Sequence, residues 1–556
     1  LHTRPIRLKL ELLSVLILSG VILTFPTNIS LSMGFNNATE AFGNNLLLFC
    51  CLYLLWLGLI ILLIFDYRKD PTSQVPFILV VLFGIVNFGF WIFATPFARG
   101  EDMTGIQLTQ SVLSHGSNIV SPNVADYTEF PALFDFGASA VLLSGLGLFA
   151  VRAVVSFALI VVFSASSFLA YFHVLRSRFL AAIATLVLMG VGDIEILRLY
   201  FFHPDWMGIA LLALLFAVIT NTIAKSEIPL SSMILTLVLS GALTLAHLLY
   251  PMIGIALLFA LVAPNLKSRG QALVLSLIAL VALSSWVLFS ATGWFSYVFG
   301  DLVFKNIASP VSGSSVNRIN LVESLIINNL TATTWWASSA YLFWVSLVFG
   351  VGLVSWLAKA VRFRSANLEM KYLVVSTLTV GLLTIGMVLA SPNYVQFFRI
   401  LIYVPITLVP LAVSYFGKRI RMIVILAVCI LAFMLPTFLA YPRLAVDNWY
   451  SYDLATLQYQ ANYVPIQVIQ FPYSQLPEQF ALVNSTNYWR ALESTLNQFH
   501  AQTANSAYWE LSPRDMINAQ HLYGISLTNP NWTTFNSELG RSNLVYDNGY
   551  YKFFES

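Results

Sequence analysis

Two neighbouring carboxylates, Glu101-Asp102, stand just past an apolar run and open a polar interval that extends from Phe97 to Gly137. A carboxylate at a membrane surface keeps its charge in water and can act as a general base on whatever the membrane delivers. Three more acidic sites have the same setting: Asp193-Ile194-Glu195, Asp205 in the stretch Arg198 to Trp206, and Asp301. Carboxylates reaching one depth from different helix ends can converge, one as base and the others holding a metal or sugar hydroxyls. His203, two residues before Asp205, is a candidate proton carrier. Each has a plainer alternative, because acids near helix ends also cap and hydrate them. Asp102 is the best single candidate for chemistry.

Cations are scarce around these acids. Arg399, at the end of Ser391-Pro392-Asn393-Tyr394-Val395-Gln396-Phe397-Phe398-Arg399, lies at the mouth of the apolar run it starts. A guanidinium there can grip a lipid-linked phosphate through two parallel hydrogen bonds. Snorkelling to lipid headgroups is the competing role. Arg198 offers a weaker version of the same case.

The elements that must hold these residues are helices. Of the 556 residues, 58% are hydrophobic and 10% charged, whereas a soluble domain carries about 25% charge. The apolar runs are long and do not alternate, which selects a helical integral membrane protein over a barrel. A net charge of +3 gives no basis for nucleic-acid binding. Cys50, Cys51 and Cys429 all lie inside apolar runs and read as small hydrophobes rather than a disulfide or zinc set. Arg4, Arg7 and Lys9 before Leu12–Phe25 read as a signal anchor.

Thirteen spans are expected, near 8–25, 45–65, 76–97, 153–174, 179–197, 207–223, 230–249, 251–266, 272–291, 337–357, 373–390, 399–416 and 422–440. Short connections on one side collect 17 of the 28 basic residues, including Arg68, Arg176, Arg178, Lys359, Arg362 and Arg364. The positive-inside rule makes that side cytoplasmic, with the N-terminus there; the plasma membrane is the expected location. The other side receives the long segments 26–44, 98–136, 292–336 and 441–556, and with them the sequons at Asn28, Asn37, Asn329, Asn484 and Asn531. The apolar stretch 132–150, with Asp135 near its start, breaks this count and reads as a re-entrant or interfacial segment. His247 and Tyr250-Pro251 mark a tight outer turn where packing is the simplest role.

The fold class that follows is an all-α polytopic membrane bundle of about 13 transmembrane helices with a small C-terminal extracytoplasmic α/β domain. Residues 1–440 form the first unit, with outer loops 98–136 and 292–336, and residues 441–556 the second. The last residues, Leu544–Asp547 and Lys552–Phe554 around Asn548-Gly549, suit a hairpin with a type I′ turn. The sequence has no Walker loop, no His-Glu-x-x-His, no Gly-x-Ser-x-Gly and no Cys-x-x-Cys. Nucleotide-driven pumps, zincins and serine hydrolases lose ground accordingly.

With these residues in place, the chain resembles the GT-C class of polytopic glycosyltransferases, of the dolichyl-phosphate-mannose and aminoarabinose transferase type. The resemblance lies in Glu101-Asp102 opening the first large outer loop and in its closing stretch Tyr127-Thr128-Glu129-Phe130-Pro131-Ala132-Leu133. That stretch is similar to the family's Tyr-x-x-Pro-Pro-Leu region with one proline missing. Arg198…Asp205 at the start of a span and the C-terminal outer domain complete it. The signature Trp-Trp-Asp-Tyr-Gly is absent, and Trp335-Trp336-Ala337 does not replace it. Transfer of a whole oligosaccharide to protein asparagine is therefore disfavoured.

The resemblance implies a sugar moved from a polyprenyl-phosphate donor to an acceptor lipid, glycan or protein on the extracytoplasmic face. Asp102 would be the general base, with Glu101 beside it. Arg399 and Arg198 would hold the lipid phosphate, and Asp193, Glu195, His203 and Asp205 would meet donor, acceptor or a divalent cation. The competing classes are a transporter or lipid flippase, which needs a polar path through the bundle, and a non-catalytic assembly subunit, whose acidic sites would diverge.

Overall fold

The structure, a computed structural model, describes parts of 57–64 and then 73–93, 100–116, 129–191, 202–225, 228–263, 269–291, 332–390 and 394–416, with four strands beyond residue 467. In chain order the helices are α1 (Val75–Phe93), α2 (Gly100–His115), α3 (Ala132–Ser144), α4 (Leu148–Leu175), α5 (Arg178–Val191) and α6 (Pro204–Lys225). They continue as α7 (Leu230–Ala246), α8 (Leu249–Phe259), α9 (Arg269–Phe289), α10 (Ala332–Val361), α11 (Leu368–Ala390) and α12 (Tyr394–Phe416).

Among the described residues, five stretches are long and apolar enough to cross a membrane: Leu148–Leu175, Pro204–Ala224, Arg269–Phe289, Phe343–Val361 and Leu368–Met387. An integral membrane protein follows from these. The expected spans at 8–25 and 422–440 lie outside the described residues, as do most of 45–65 and the outer loop up to residue 331. α9 shows how sequence assigns faces. Ala272, Leu275, Ala279, Leu283 and Val287 recur at three- and four-residue spacing and are buried, while Leu273, Ile278, Val281 and Leu288 are exposed. Apolar side chains facing outward are favourable against lipid tails and would be a liability in water.

The bundle is tied at one end by arginines. Arg176 closes α4 in the left-handed region at φ 53, its N–H donating to the Phe172 carbonyl. Its guanidinium donates to Glu369 at 2.6 and 3.2 Å and to the Ala224 carbonyl at 3.3 Å. Arg178 donates to the Ser73 carbonyl at 2.7 Å. The ends of α4 and α6 and the starts of α1, α5 and α11 therefore share one end of the bundle. The starts of α4 and α6 lie at the other.

That other end differs from expectation in one respect. The polar interval 98–136 contains helix α2 and leads directly into α3, where an open loop was expected. α3 packs against α2, α4, α6 and α7. It has 13 residues, about 20 Å of helix, against about 30 Å of hydrocarbon core. Gly145 ends it with φ 68, a left-handed conformation that glycine adopts without a Cβ penalty. Leu133, Phe134, Gly137 and Ala138 are buried, and Leu142 and Leu143 are 75% and 90% exposed. The stretch 132–150 is thus a short helix with one packed face and an apolar exposed tip, followed by the first residues of α4.

In the tail, the four strands form one sheet in the order β1-β2-β4-β3, from Val468–Gln470, Tyr508–Leu511, Lys552–Glu555 and Asn543–Asp547. β1 and β2 are parallel, which requires a crossover connection, and the other pairs are antiparallel. The antiparallel β3–β4 pair falls where the hairpin was expected. Its closing partners are Asp547 and Lys552, so the connection is longer than a two-residue Asn-Gly turn.

Candidate functional site

α6 begins at Pro204, whose missing N–H and fixed φ suit a first helical position. The residue before it, His203, supplies the cap: its Nδ1 accepts the Asp205 backbone N–H at 3.2 Å. His203 and Asp205 are 2% and 1% exposed. Nδ1 also lies 3.3 Å from Asp205 Oδ2. Because that nitrogen's lone pair receives the backbone N–H, the approach is a consequence of the cap rather than a charge pair, and the ring is left with its proton on Nε2.

α8 opens the same way. His247 has extended backbone and its Nδ1 accepts the Leu249 N–H at 3.1 Å. That bond again leaves the proton on Nε2, and His247 Nε2 lies 3.3 Å from Asp205 Oδ1. The distance is longer than an aligned N–H···O⁻ bond of about 2.8 Å, so it is a polar contact rather than a formed hydrogen bond. The Asp205 carboxylate thus sits in the first turn of α6, whose dipole favours a negative charge, with the His203 and His247 rings against it.

Aromatic rings fix this cluster. Trp206 packs edge-on against Phe88 of α1 at 5.3 Å and Phe163 of α4 at 5.8 Å. His247 stacks on Phe130 at 6.1 Å and meets the Tyr250 ring edge-on at 5.3 Å. Tyr250 in turn meets Tyr403 of α12 edge-on at 5.3 Å. Trp286 of α9 donates to the Glu129 carbonyl at 3.1 Å, pinning the segment that Phe130 belongs to. Replacing Trp286 by Phe should therefore destabilise by about 0.5–1.5 kcal/mol and speed hydrogen exchange in a peptide covering Glu129–Phe134.

Glycines let the elements close on this end. A Cβ at Gly105 of α2 would run into the Phe202 carbonyl oxygen and lie 3.0 Å from its ring. A Cβ at Gly137 of α3 would lie 2.9 Å from the same ring. α2 and α3 are therefore seated directly on the residue before His203. Glu101 and Asp102 stand in the first turn of α2, four and three residues before Gly105. On α12, Arg399 stands four residues before Tyr403.

The backbones of Glu101 and Asp102 belong to the first turn of α2 and that of Arg399 to the start of α12; their side chains lie outside the described residues, and so do Asp193, Glu195, Arg198 and Asp301 altogether. Of the expected site residues, His203 and Asp205 are brought together. Two others were missed. His247 was read only as a turn marker, although it stands two residues ahead of a helix start. Arg152 was placed just outside a span, yet it lies in the second turn of α4 and is 2% exposed. A cation buried in an apolar helix is costly unless its charge is matched. Arg152 lies at the same end as Asp205, opposite Arg176.

No family model and no curated protein matches the sequence. Among solved structures, the chain is similar to the Archaeoglobus fulgidus oligosaccharyltransferase in the apo form, at 14% identity and TM-score 0.43, over 77% of this chain and 61% of that one. It is also similar to ArnT from Cupriavidus metallidurans bound to undecaprenyl phosphate, at 12% identity and TM-score 0.44, over 87% and 98% of the two chains. The apo state of that ArnT gives 13% identity and TM-score 0.36, over 86% and 97%. Residue roles do not transfer across likenesses of this size.

Proposed function

We propose that this protein is a membrane glycosyltransferase that moves a sugar from a polyprenyl-phosphate donor to an acceptor on the extracytoplasmic face. The observation that supports it most is the meeting of separate elements on Asp205. α2 reaches it through Gly105 and Phe202, and α12 through Tyr403, Tyr250 and His247. These are the two elements that carry Asp102 and Arg399.

In the reaction the acceptor oxygen attacks the anomeric carbon as the carbon–oxygen bond to phosphate breaks. The bonding pair leaves with the phosphate, whose charge Arg399 stabilises. The acceptor proton passes to the Asp102 carboxylate, and the anomeric centre inverts. Glu101 and Asp205, with His203 beside it, would meet sugar hydroxyls, and Arg198 would assist at the phosphate. Among the described residues no three His, Cys, Asp or Glu side chains are grouped to hold a metal. A divalent cation would need Asp193 and Glu195, and no step is routed through one. The bundle 1–440 would carry the chemistry and residues 441–556 would form an extracytoplasmic domain, with the N-terminus cytoplasmic in the plasma membrane.

The test is a transfer assay with a polyprenyl-phosphate sugar and the full-length protein in lipid. Arg399→Lys keeps the charge and loses the two-pronged geometry, so the donor KM should rise about tenfold with smaller change in kcat, as expected for one lost charge-assisted bond. An unchanged donor KM would remove Arg399 from the phosphate site.

A further inference from the structure

His247 touches three things at once: the Leu249 N–H through Nδ1, the Asp205 carboxylate through Nε2, and the face of Phe130. The first contact is structural, because it satisfies an orphan donor at the start of α8. The other two join residues that sequence separates widely. Phe130 belongs to the closing end of the outer interval, and that same end is also held by the Trp286 hydrogen bond to Glu129. Asp205 belongs to the first turn of α6.

The Leu249 bond decides what the ring can do. An imidazole whose Nδ1 accepts a hydrogen bond carries its proton on Nε2 and faces Asp205 as a donor. A donor so fixed selects one carboxylate orientation, which a freely turning hydroxyl would not. We propose that His247 is a positioning residue of the transferase site, setting the Asp205 carboxylate and the Glu129–Pro131 segment in register with each other. This rests on the transferase reading for its consequence in catalysis, but the coupling itself does not.

Two isosteres separate the structural contact from the positioning one. The asparagine amide occupies the place of Nδ1, so His247→Asn can still cap α8 but cannot reach Asp205. The glutamine amide occupies the place of Nε2, so His247→Gln can reach Asp205 but caps poorly. His247→Asn should keep the wild-type unfolding midpoint and lose about 10- to 100-fold in kcat as the contact to the Asp205 carboxylate is lost, with donor KM unchanged. His247→Gln should have a lower midpoint and a kcat well above that of His247→Asn. Wild-type kcat in the Asn variant, with only the Gln variant impaired, would reduce His247 to a helix cap and overturn the proposal.

Hydrogen exchange in Glu129–Phe134 provides an arm that needs no substrate. Both variants lack the ring, so this peptide should exchange faster in both; unchanged exchange would overturn the coupling to Phe130. If the wild-type protein transfers no sugar, the functional reading fails, while the exchange result still decides the coupling.

Discussion

Asp102→Asn should lower sugar transfer by about 10²- to 10⁴-fold, the range a positioned general base contributes, with donor KM nearly unchanged. The substitution keeps shape and removes the charge that accepts the acceptor proton. Its cost to folding should be small. Asp102 lies in the first turn of α2, where a carboxylate gains about 0.3–1 kcal/mol from the helix dipole, so the unfolding midpoint should fall only slightly. Kinetics and a thermal scan on one detergent preparation check both statements. Unchanged transfer would remove the base from Asp102, whatever the fate of the fold.

Gly208→Ala should be strongly damaging for so small a substitution. A Cβ there would lie 2.7 Å from Cγ and 2.8 Å from Cε2 of Tyr250, nearer than side chains tolerate. Tyr250 is fully buried between His247 and Tyr403 and has no open side to move into. α6 and α8 must then separate, which costs about 1–3 kcal/mol by the usual measure of overpacking. Because Tyr250 links His247 to α12, activity should fall with stability. Gly241→Ala is the matched control: nothing lies within 4 Å of its added Cβ, and a helical Gly→Ala exchange gains up to about 1 kcal/mol. Opposite shifts in unfolding midpoint are expected for the two, and equal shifts would contradict the close packing of α6 on α8.

The long helices were legible because a run of about 20 uncharged apolar residues has few other uses. α6, α9 and α11 fall within a few residues of their expected places, since Pro204, Arg269 and the polar Asn367 bound them. α2 was not legible. Its sequence, Gly100–His115, mixes small, polar and apolar residues, and its helix depends on burying Gly105, Ile106, Leu108 and Thr109 against its neighbours. The acidic character of the site was visible in Asp205, which borders a span. His247 was not, because its partner lies 42 positions earlier in the chain and only the packing of α6 on α8 brings them together. Arg152 was hidden by its place at the edge of an apolar run, where snorkelling and burial leave the same pattern.

The central claim is that the starts of α2 and α12 face one site beside Asp205. It is tested most directly by cross-linking cysteines placed at positions 102 and 399 in membranes, after replacing Cys50, Cys51 and Cys429. A reagent of about 10 Å reach, the breadth of a site that one sugar and its contacts fill, should join them in high yield. Bound polyprenyl-phosphate sugar should block the reaction. Failure of that reagent, with joining only by one of twice the length or more, would place the acid and the cation in different regions and contradict the account.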